Sequence, residues 1–185
     1  MATSDSQGSV KTVDRVFAII KTLDRRGTAT LTEIASDLDA PRSTIYAHLS
    51  TMTNNGILVK ENKQYRLSLE FLKYGMSAKR NHDIADIVQP KLDQMAERTN
   101  EIAWFLTEEN GKGVYLNKAK GNYAVQPYGQ IGEHVHLHDI AAGKAILSQL
   151  SERRVHQIID RHGLPARTDE TITDPDTLFA ELAEI

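Results

Sequence analysis

The chain of 185 residues contains no cysteine. Disulfides, thiolate metal sites and cysteine nucleophiles are therefore excluded. No apolar run approaches the roughly 18 residues that a membrane-spanning helix needs. The first residues, MATSDSQGS, are polar and carry no apolar segment of the kind a signal peptide has, so residues 1–9 read as a disordered tail. A phosphate-loop spacing is missing as well: five residues ahead of Gly143-Lys144, where such a loop needs glycine, stands His138. No nucleophile-elbow pattern and no paired-carboxylate motif is present. There is no internal repeat and no low-complexity tract. These absences leave a cytoplasmic protein without a cofactor and with no membrane partner as the default expectation.

Charge is close to balanced, at −3, but unevenly spread. Residues 1–68 hold nine Lys/Arg against seven Asp/Glu, and the remainder is acidic. The asymmetry permits a nucleic-acid face in the first part without requiring one. It argues against a non-specific structural DNA binder, whose affinity rests on phosphate charge.

The first part reads as helix, helix, turn, helix, hairpin. Val13, Val16, Phe17, Ile20 and Leu23 form one apolar stripe on a helix over 10–25, ended by Gly27. A second helix has Leu31, Ile34, Ala35 and Leu38 as its stripe, with Thr30 and Glu33 spaced for a capping box. Ala40-Pro41 breaks it. In PRSTIYAHLSTMTNNG, residues 41–56, the large apolar residues Ile45, Leu49 and Met52 fall at i, i+4 and i+7. The other face carries Arg42, Ser43, Tyr46, Ala47 and Ser50, with one cation and no acid. After Gly56, ILVKE, a turn at Asn62-Lys63 and QYRLSL read as a β-hairpin. That order within 70 residues is the order of a winged helix-turn-helix.

The third helix has the inventory of a groove-reading element. A narrow apolar stripe fastens it to a scaffold, and its opposite face is free for phosphates and base edges. Arg42 suits a phosphate or a guanine edge, Ser43 and Thr44 lie where free N–H groups favour phosphate, and Ala47 suits a thymine methyl. Tyr46 and Ser50 continue along the exposed side. Lys60 and Lys63 flank the wing turn and suit the adjacent backbone. The competing reading is a solvated helix of an unrelated three-helix domain.

Residues 69–81 read as a linker helix with Leu69, Leu72 and Met76 on one side. The apolar stripe of the first helix exceeds what a three-helix core needs. These two helices are therefore expected to pair in a dimer through Val13, Phe17, Ile20, Leu69, Leu72 and Met76. Residues 82–100 read as a helix with Ile84, Ile87, Val88, Leu92 and Met95 inward and Pro90 bending or interrupting it. A second hairpin turns at ENGKG, a strand is expected over 133–138, and helices follow in AAGKAILSQL, in SERRVHQIIDRHG and from Asp174-Pro175. Trp104 and Phe105 fall on a strand as core or interface residues, and Arg153-Arg154 on a solvated face. The second part, 82–185, is α+β.

The stretches VKTVDRVFAIIKTL, LTEIASDLDAPRSTIYAHLSTM and YRLSLEFLKYG resemble the DNA-binding half of IclR-type transcription regulators. HDIADIVQPKLDQMAERTNEIAWFL and GEHVHLHDIAAGKAILSQL are similar to the start of that family's effector-binding domain. The resemblance implies a winged helix-turn-helix at 10–68, a linker helix, and a GAF-like effector domain. It implies a homodimer or homotetramer on a palindromic double-stranded operator, controlled by a small molecule such as an organic acid. AAGKAIL resembles the helix at the floor of the effector pocket, with His138, Ala142 and Gly143 as effector-side residues; the alternative is that Gly143 merely permits tight helix packing. Two departures stand out. Ala47 occupies a position where the family usually has arginine, followed by His48 in place of an apolar residue. The chain also stops at Ile185, where family members continue with further strands, so the effector domain is expected to be incomplete.

EHVHLHD offers the other chemistry. On a strand, His134, His136 and His138 share a face, a weak candidate for Zn²⁺ or Ni²⁺ and hence for a metal-sensing protein. The favoured reading is a polar strand leading into a helix, without metal. An enzyme is the rival class, resting on Ser148, Ser151, Glu152 and His156, which lie close in sequence.

Overall fold

The computed structural model describes residues 9–82, 84–122 and 129–185, with the side chains of Ala85 and Asp86 left aside. The expected tail, apart from Ser9, lies outside these residues, as does part of the irregular stretch after 122. Chain contacts divide the molecule into two compact units, 1–77 and 78–185.

The first unit contains α1 (Lys11–Arg26), β1 (Ala29–Thr30), α2 (Leu31–Asp37), α3 (Arg42–Asn54), β2 (Leu58–Glu61) and β3 (Gln64–Leu67). Its core is one cluster in which Ile19, Leu23, Ile34, Ile45 and Leu49 are fully buried. Thr30 caps α2: its side chain accepts from the Glu33 backbone N–H, and the Glu33 carboxylate accepts in return from the Thr30 N–H at 2.7 Å. Both orphan donors at that helix start are thereby met. Asp39 turns the chain between α2 and α3 with a left-handed φ of 44°, a conformation Asp tolerates better than most residues. Arg26 grips Asp37 with two hydrogen bonds, 2.6 and 2.7 Å, and joins the ends of α1 and α2. The hairpin turns on Asn62 and Lys63, both at positive φ, as a two-residue loop between right-twisted strands requires. The sheet has three strands, ordered β1-β3-β2. The short β1, pairing Ala29 with Tyr65, carries no periodicity that would announce it.

The core covers only part of the expected apolar stripe of α1. Ile19, Thr22 and Leu23 are buried, Val16 and Ile20 are half-buried, and Val13 and Phe17 face outward at 47% and 57% exposure. Helical geometry separates them: Ile19 and Leu23 lie four apart on the core face, and Phe17 lies about 160° around the axis from Ile19. α4 (Glu70–Arg80) has no side chain in a core; Leu72, Tyr74 and Met76 are exposed, as is Leu69 just before it.

The second unit contains α5 (Ile84–Thr99), β4 (Ile102–Glu109), β5 (Lys112–Lys120), β6 (His134–His136), α6 (Ala141–Ser148), α7 (Glu152–His162) and α8 (Pro175–Leu182). The antiparallel sheet runs β4-β5-β6. Asn110 and Gly111, at positive φ, close the β4–β5 turn. Pro90 does not interrupt α5, which runs through it. Leu92 and Ala96 face the sheet, whereas Ile84, Ile87 and Met95 point outward, contrary to the inward face expected of them. Helix α8 starts at Asp174, which accepts from the Thr177 N–H at 2.8 Å, with Pro175 in the first turn. Arg154 is not on a solvated face: its Nη2 donates to Glu108 at 2.9 Å and ties α7 to the β4–β5 hairpin.

Thr22 is 1% exposed and its hydroxyl has no partner among the described residues. A buried hydroxyl without a partner loses its hydration for nothing. Thr22→Val is expected to raise the unfolding free energy by about 1 kcal/mol, read as a shifted urea midpoint at constant slope.

Candidate DNA-binding face and ligand cavity

Helix α3 is held from one side only. Ile45, Leu49 and Met52 are its buried residues. Arg42, Ser43, Thr44, Tyr46 and Ala47 are exposed, with Tyr46 at 55%; Ser50 is half-buried, farther from solvent than its sequence position suggested. Pro41 occupies the cap position, so no side chain caps the first turn, and no acid stands in it. The contrast with α2, capped by Thr30 and Glu33, is chemical: the first turn of α3 has neither a capping side chain nor an acid of its own, and Arg42 stands in it.

A cleft opens on each side of α3. One, about 360 Å³, is lined by Thr30, Leu31, Tyr46, Lys60, Lys63 and Tyr65. It brings the wing lysines to the same hollow as Tyr46, and the Lys60 ammonium lies 5.3 Å from the Tyr65 ring centre, close enough for cation–π attraction to hold it over the wing. The other, about 500 Å³, is lined by Thr32, Ser36, Asp39, Pro41 and Arg42. Thr32 and Ser36 were not singled out from the sequence; their spacing of four on the side of α2 away from the buried Ile34 is the signal that would have found them.

The three histidines of EHVHLHD do not share a strand face. β6 ends at His136, and Leu137–Asp139 form a 3₁₀ turn that carries His138 inward to 4% exposure. The cause is the chain's entry into α6, where Leu137 must enter the core. His134 Nδ1 lies 3.1 Å from the Gly132 carbonyl, and His138 Nε2 donates to the Pro165 carbonyl at 3.1 Å. Among the described residues no group of three His, Asp or Glu side chains is placed to hold a metal ion. His136 is half-buried; burial, and then the Lys112 charge, lower its pKa.

The residues of the rival enzyme reading have structural partners. Ser148 donates to the Ala145 carbonyl, Ser151 caps α7 by accepting from the Arg154 N–H, and His156 donates to the Glu152 carbonyl while its ring lies 4.6 Å from that of Phe179.

Gly143 sits against the backbone of Leu137. A Cβ placed on it would lie 2.2 Å from the Leu137 carbonyl oxygen, so the glycine permits the close approach of α6 to the 3₁₀ turn. Ala142 beside it is exposed. A separate open cavity of about 280 Å³ is lined by Tyr115, Glu133, His134, His136, Asp139 and Arg167.

Comparison with known proteins bears on both units. Residues 12–62 match the IclR helix-turn-helix domain, and residues 76–185 the bacterial transcriptional regulator IclR C-terminal domain. The HTH-type transcriptional regulator KipR of Bacillus subtilis is 26% identical over 177 residues, spanning 95% of this chain and 71% of that protein. The transcriptional repressor IclR of Escherichia coli is 27% identical over 189 residues, spanning all of this chain and 69% of that protein. Among solved structures, the Thermotoga maritima IclR superposes with a TM-score of 0.69 at 26% identity, over 95% of this chain and 70% of that one. An IclR homologue of Microbacterium hydrocarbonoxydans, complexed with 4-hydroxybenzoate, shares the fold with a TM-score of 0.77 at 19% identity, over 94% and 72% of the two chains.

Two outcomes are expected here. Gly143→Ala forces the α6 approach apart and lowers stability by about 1–3 kcal/mol, the usual cost of overpacking, in chemical denaturation. The folded pKa of His136 lies below its ordinary value of 6.5. As pH falls below about 6.5 the unfolded chain therefore takes up that proton first, and stability declines through the window below that pH. His136→Gln flattens this part of the stability–pH curve.

Proposed function

Because the chain belongs to the IclR family of bacterial transcriptional regulators, and is a DNA-binding regulator of that family, we propose that α3 is the helix that enters the major groove. The observation that carries this is the division of α3 itself: a buried stripe of three residues, and an exposed face of Arg42, Ser43, Thr44, Tyr46 and Ala47 without an acid. Arg42, beside the uncapped first turn, holds a backbone phosphate. Tyr46, Ala47 and Ser50 meet base edges, and Lys60 and Lys63 of the wing track the neighbouring strand. Because Ala47 offers only a methyl group, direct base reading is sparse, and operator spacing and wing contacts supply much of the selectivity.

Residues 10–68 serve as the DNA-binding domain, 69–81 as the linker helix and 82–185 as effector-binding chain. The outward Val13, Phe17, Leu69, Leu72 and Met76, with half-buried Ile20, form the homodimer surface, which matches the two-fold symmetry of a palindromic operator. A small-molecule effector controls the protein from the second unit, where His138, Ala142 and Gly143 act by positioning the helix entry beside the cavity. The 4-hydroxybenzoate of the Microbacterium homologue is a carboxylate, which supports an acid as effector. The protein binds its effector unchanged rather than turning it over, and it works in the cytoplasm; no described helix is long and apolar enough to cross a membrane.

Arg42→Ala and Tyr46→Ala, measured on selected operator and on random DNA over a salt series, test the groove assignment. Arg42→Ala is expected to weaken both DNAs alike and reduce the salt slope by about one. Tyr46→Ala is expected to weaken the operator alone, by roughly 1–3 kcal/mol. Unchanged affinity in both variants would remove α3 from the DNA. Phe17→Glu with Leu72→Glu is expected to give a monomer in light scattering; a dimer that persists unaltered places the interface elsewhere.

A further inference from the structure

The 280 Å³ cavity of the second unit is lined by groups of both signs. Glu133 and Asp139 are acids, Arg167 is the cation, and Tyr115 and His136 complete the lining the inference uses. Burial, and then the Glu133 carboxylate, hold the Tyr115 phenol above its ordinary pKa, while burial lowers that of His136, so both are uncharged near neutral pH. Glu133 is already used in the local turn, where its carboxylate accepts from the Gln130 N–H at 2.8 Å. Asp139 is not so used: one of its oxygens, Oδ1, is closed off from solvent and has no donor among the described residues. That leaves its other oxygen as the one open to a ligand, on a residue that lines the cavity. No described side chain pairs with the Arg167 guanidinium, whereas its backbone is fixed. The Arg167 and Thr168 N–H groups both donate to the Thr171 hydroxyl, at 3.2 and 3.0 Å, and the same loop is pinned at Pro165 by His138.

We propose that this cavity binds a small amino acid-like zwitterion, with its carboxylate on Arg167 and its ammonium on Asp139. The inference rests on the reading of the second unit as effector-binding, and it narrows the effector from organic acids in general to those that also carry an amine. Charge decides between the two classes. An anion without an amine would meet Arg167 but would bring a further negative charge to a hollow that already holds two carboxylates against one guanidinium. Like charges gathered in one small hollow disfavour one another. A zwitterion answers both signs at once, and charge-assisted hydrogen bonds at each end fix its direction. The cavity volume, about 280 Å³, is enough for a single amino acid. The wall formed by Tyr115, whose ring centre lies 4.7 Å from that of Trp104, would receive the apolar part.

The full chain is screened by thermal shift and calorimetry with each common L-amino acid, beside its 2-hydroxy acid and its unsubstituted acid. The expected result is that at least one amino acid raises Tm, while its hydroxy and unsubstituted analogues bind about tenfold more weakly or not at all, the loss of one charge-assisted contact. Arg167→Gln is expected to reduce amino-acid affinity about tenfold, and Asp139→Asn to abolish the preference for the amine over the hydroxyl. No shift with any amino acid, or equal binding of the unsubstituted acid, overturns the proposal. So does a preference for the amine that survives intact in Asp139→Asn. Operator binding is measured on the same samples. If DNA binding is intact and the amino acids are silent, the cavity assignment fails by itself. If a plain carboxylate binds and alters DNA affinity, the effector reading stands and only its narrowing to amines falls.

Discussion

Three side chains hold α3 to the rest of the first unit, Ile45 and Leu49 at zero exposure and Met52 at 4%. Each stabilises the packed state by roughly 1.5–3 kcal/mol through burial. Concentrating the attachment in a stripe this narrow has a geometric effect: more than half of the helix circumference is left without structural duty. Everything else in the unit serves that arrangement. Ile19, Leu23 and Ile34 form the socket. The Thr30–Glu33 capping box starts α2 at a defined residue, Asp39 accepts the left-handed turn, and Arg26–Asp37 joins the far ends of α1 and α2. The three-stranded sheet then places Lys60 and Lys63 beside Tyr46 instead of elsewhere on the surface.

The second unit depends on a close approach of backbones. With no side chain at Gly143, α6 packs directly on the 3₁₀ turn at Leu137. That contact withdraws His138 from the strand into the interior, where it binds the loop at Pro165. The same loop presents Arg167. A glycine in a helix thus determines, through two intermediate contacts, where a surface cation stands relative to Asp139. In the same unit α7 is anchored by Arg154 to Glu108.

Local signals were legible in the sequence wherever one residue decides the outcome within a few positions. The capping box at Thr30, the Asn62-Lys63 and Asn110-Gly111 turns, the start of α8 at Asp174 and the buried trio of α3 are all of this kind. Features set by partners distant in sequence were not. The two-residue β1 exists only because β3 offers it a ladder. Ile84, Ile87 and Met95 are apolar at helical spacing, yet Leu92 and Ala96 are the ones facing the sheet, because the sheet selects the face. Alternation in EHVHLHD suggested a longer strand than forms, since the demand of Leu137 for the core overrides it. The exposed face of α3 was readable in composition, and the clefts flanking it were not, as they require α2 and the wing to be in place.

The bare first turn of α3 affects the motions of the free protein. Pro41 contributes no capping side chain, so amide groups of Ser43 and Thr44 depend on water alone. Such a turn frays more readily than the capped start of α2, and it opens and closes on the fast timescale of helix ends. On the phosphate role proposed for this turn, contact with an anion quiets it. The entropy lost in that ordering is the same for every DNA sequence, since phosphate is common to all of them. On that reading its effect is to shorten residence everywhere by a common factor, which would favour rapid scanning of the duplex and leave discrimination between sites to the residues proposed farther along the helix.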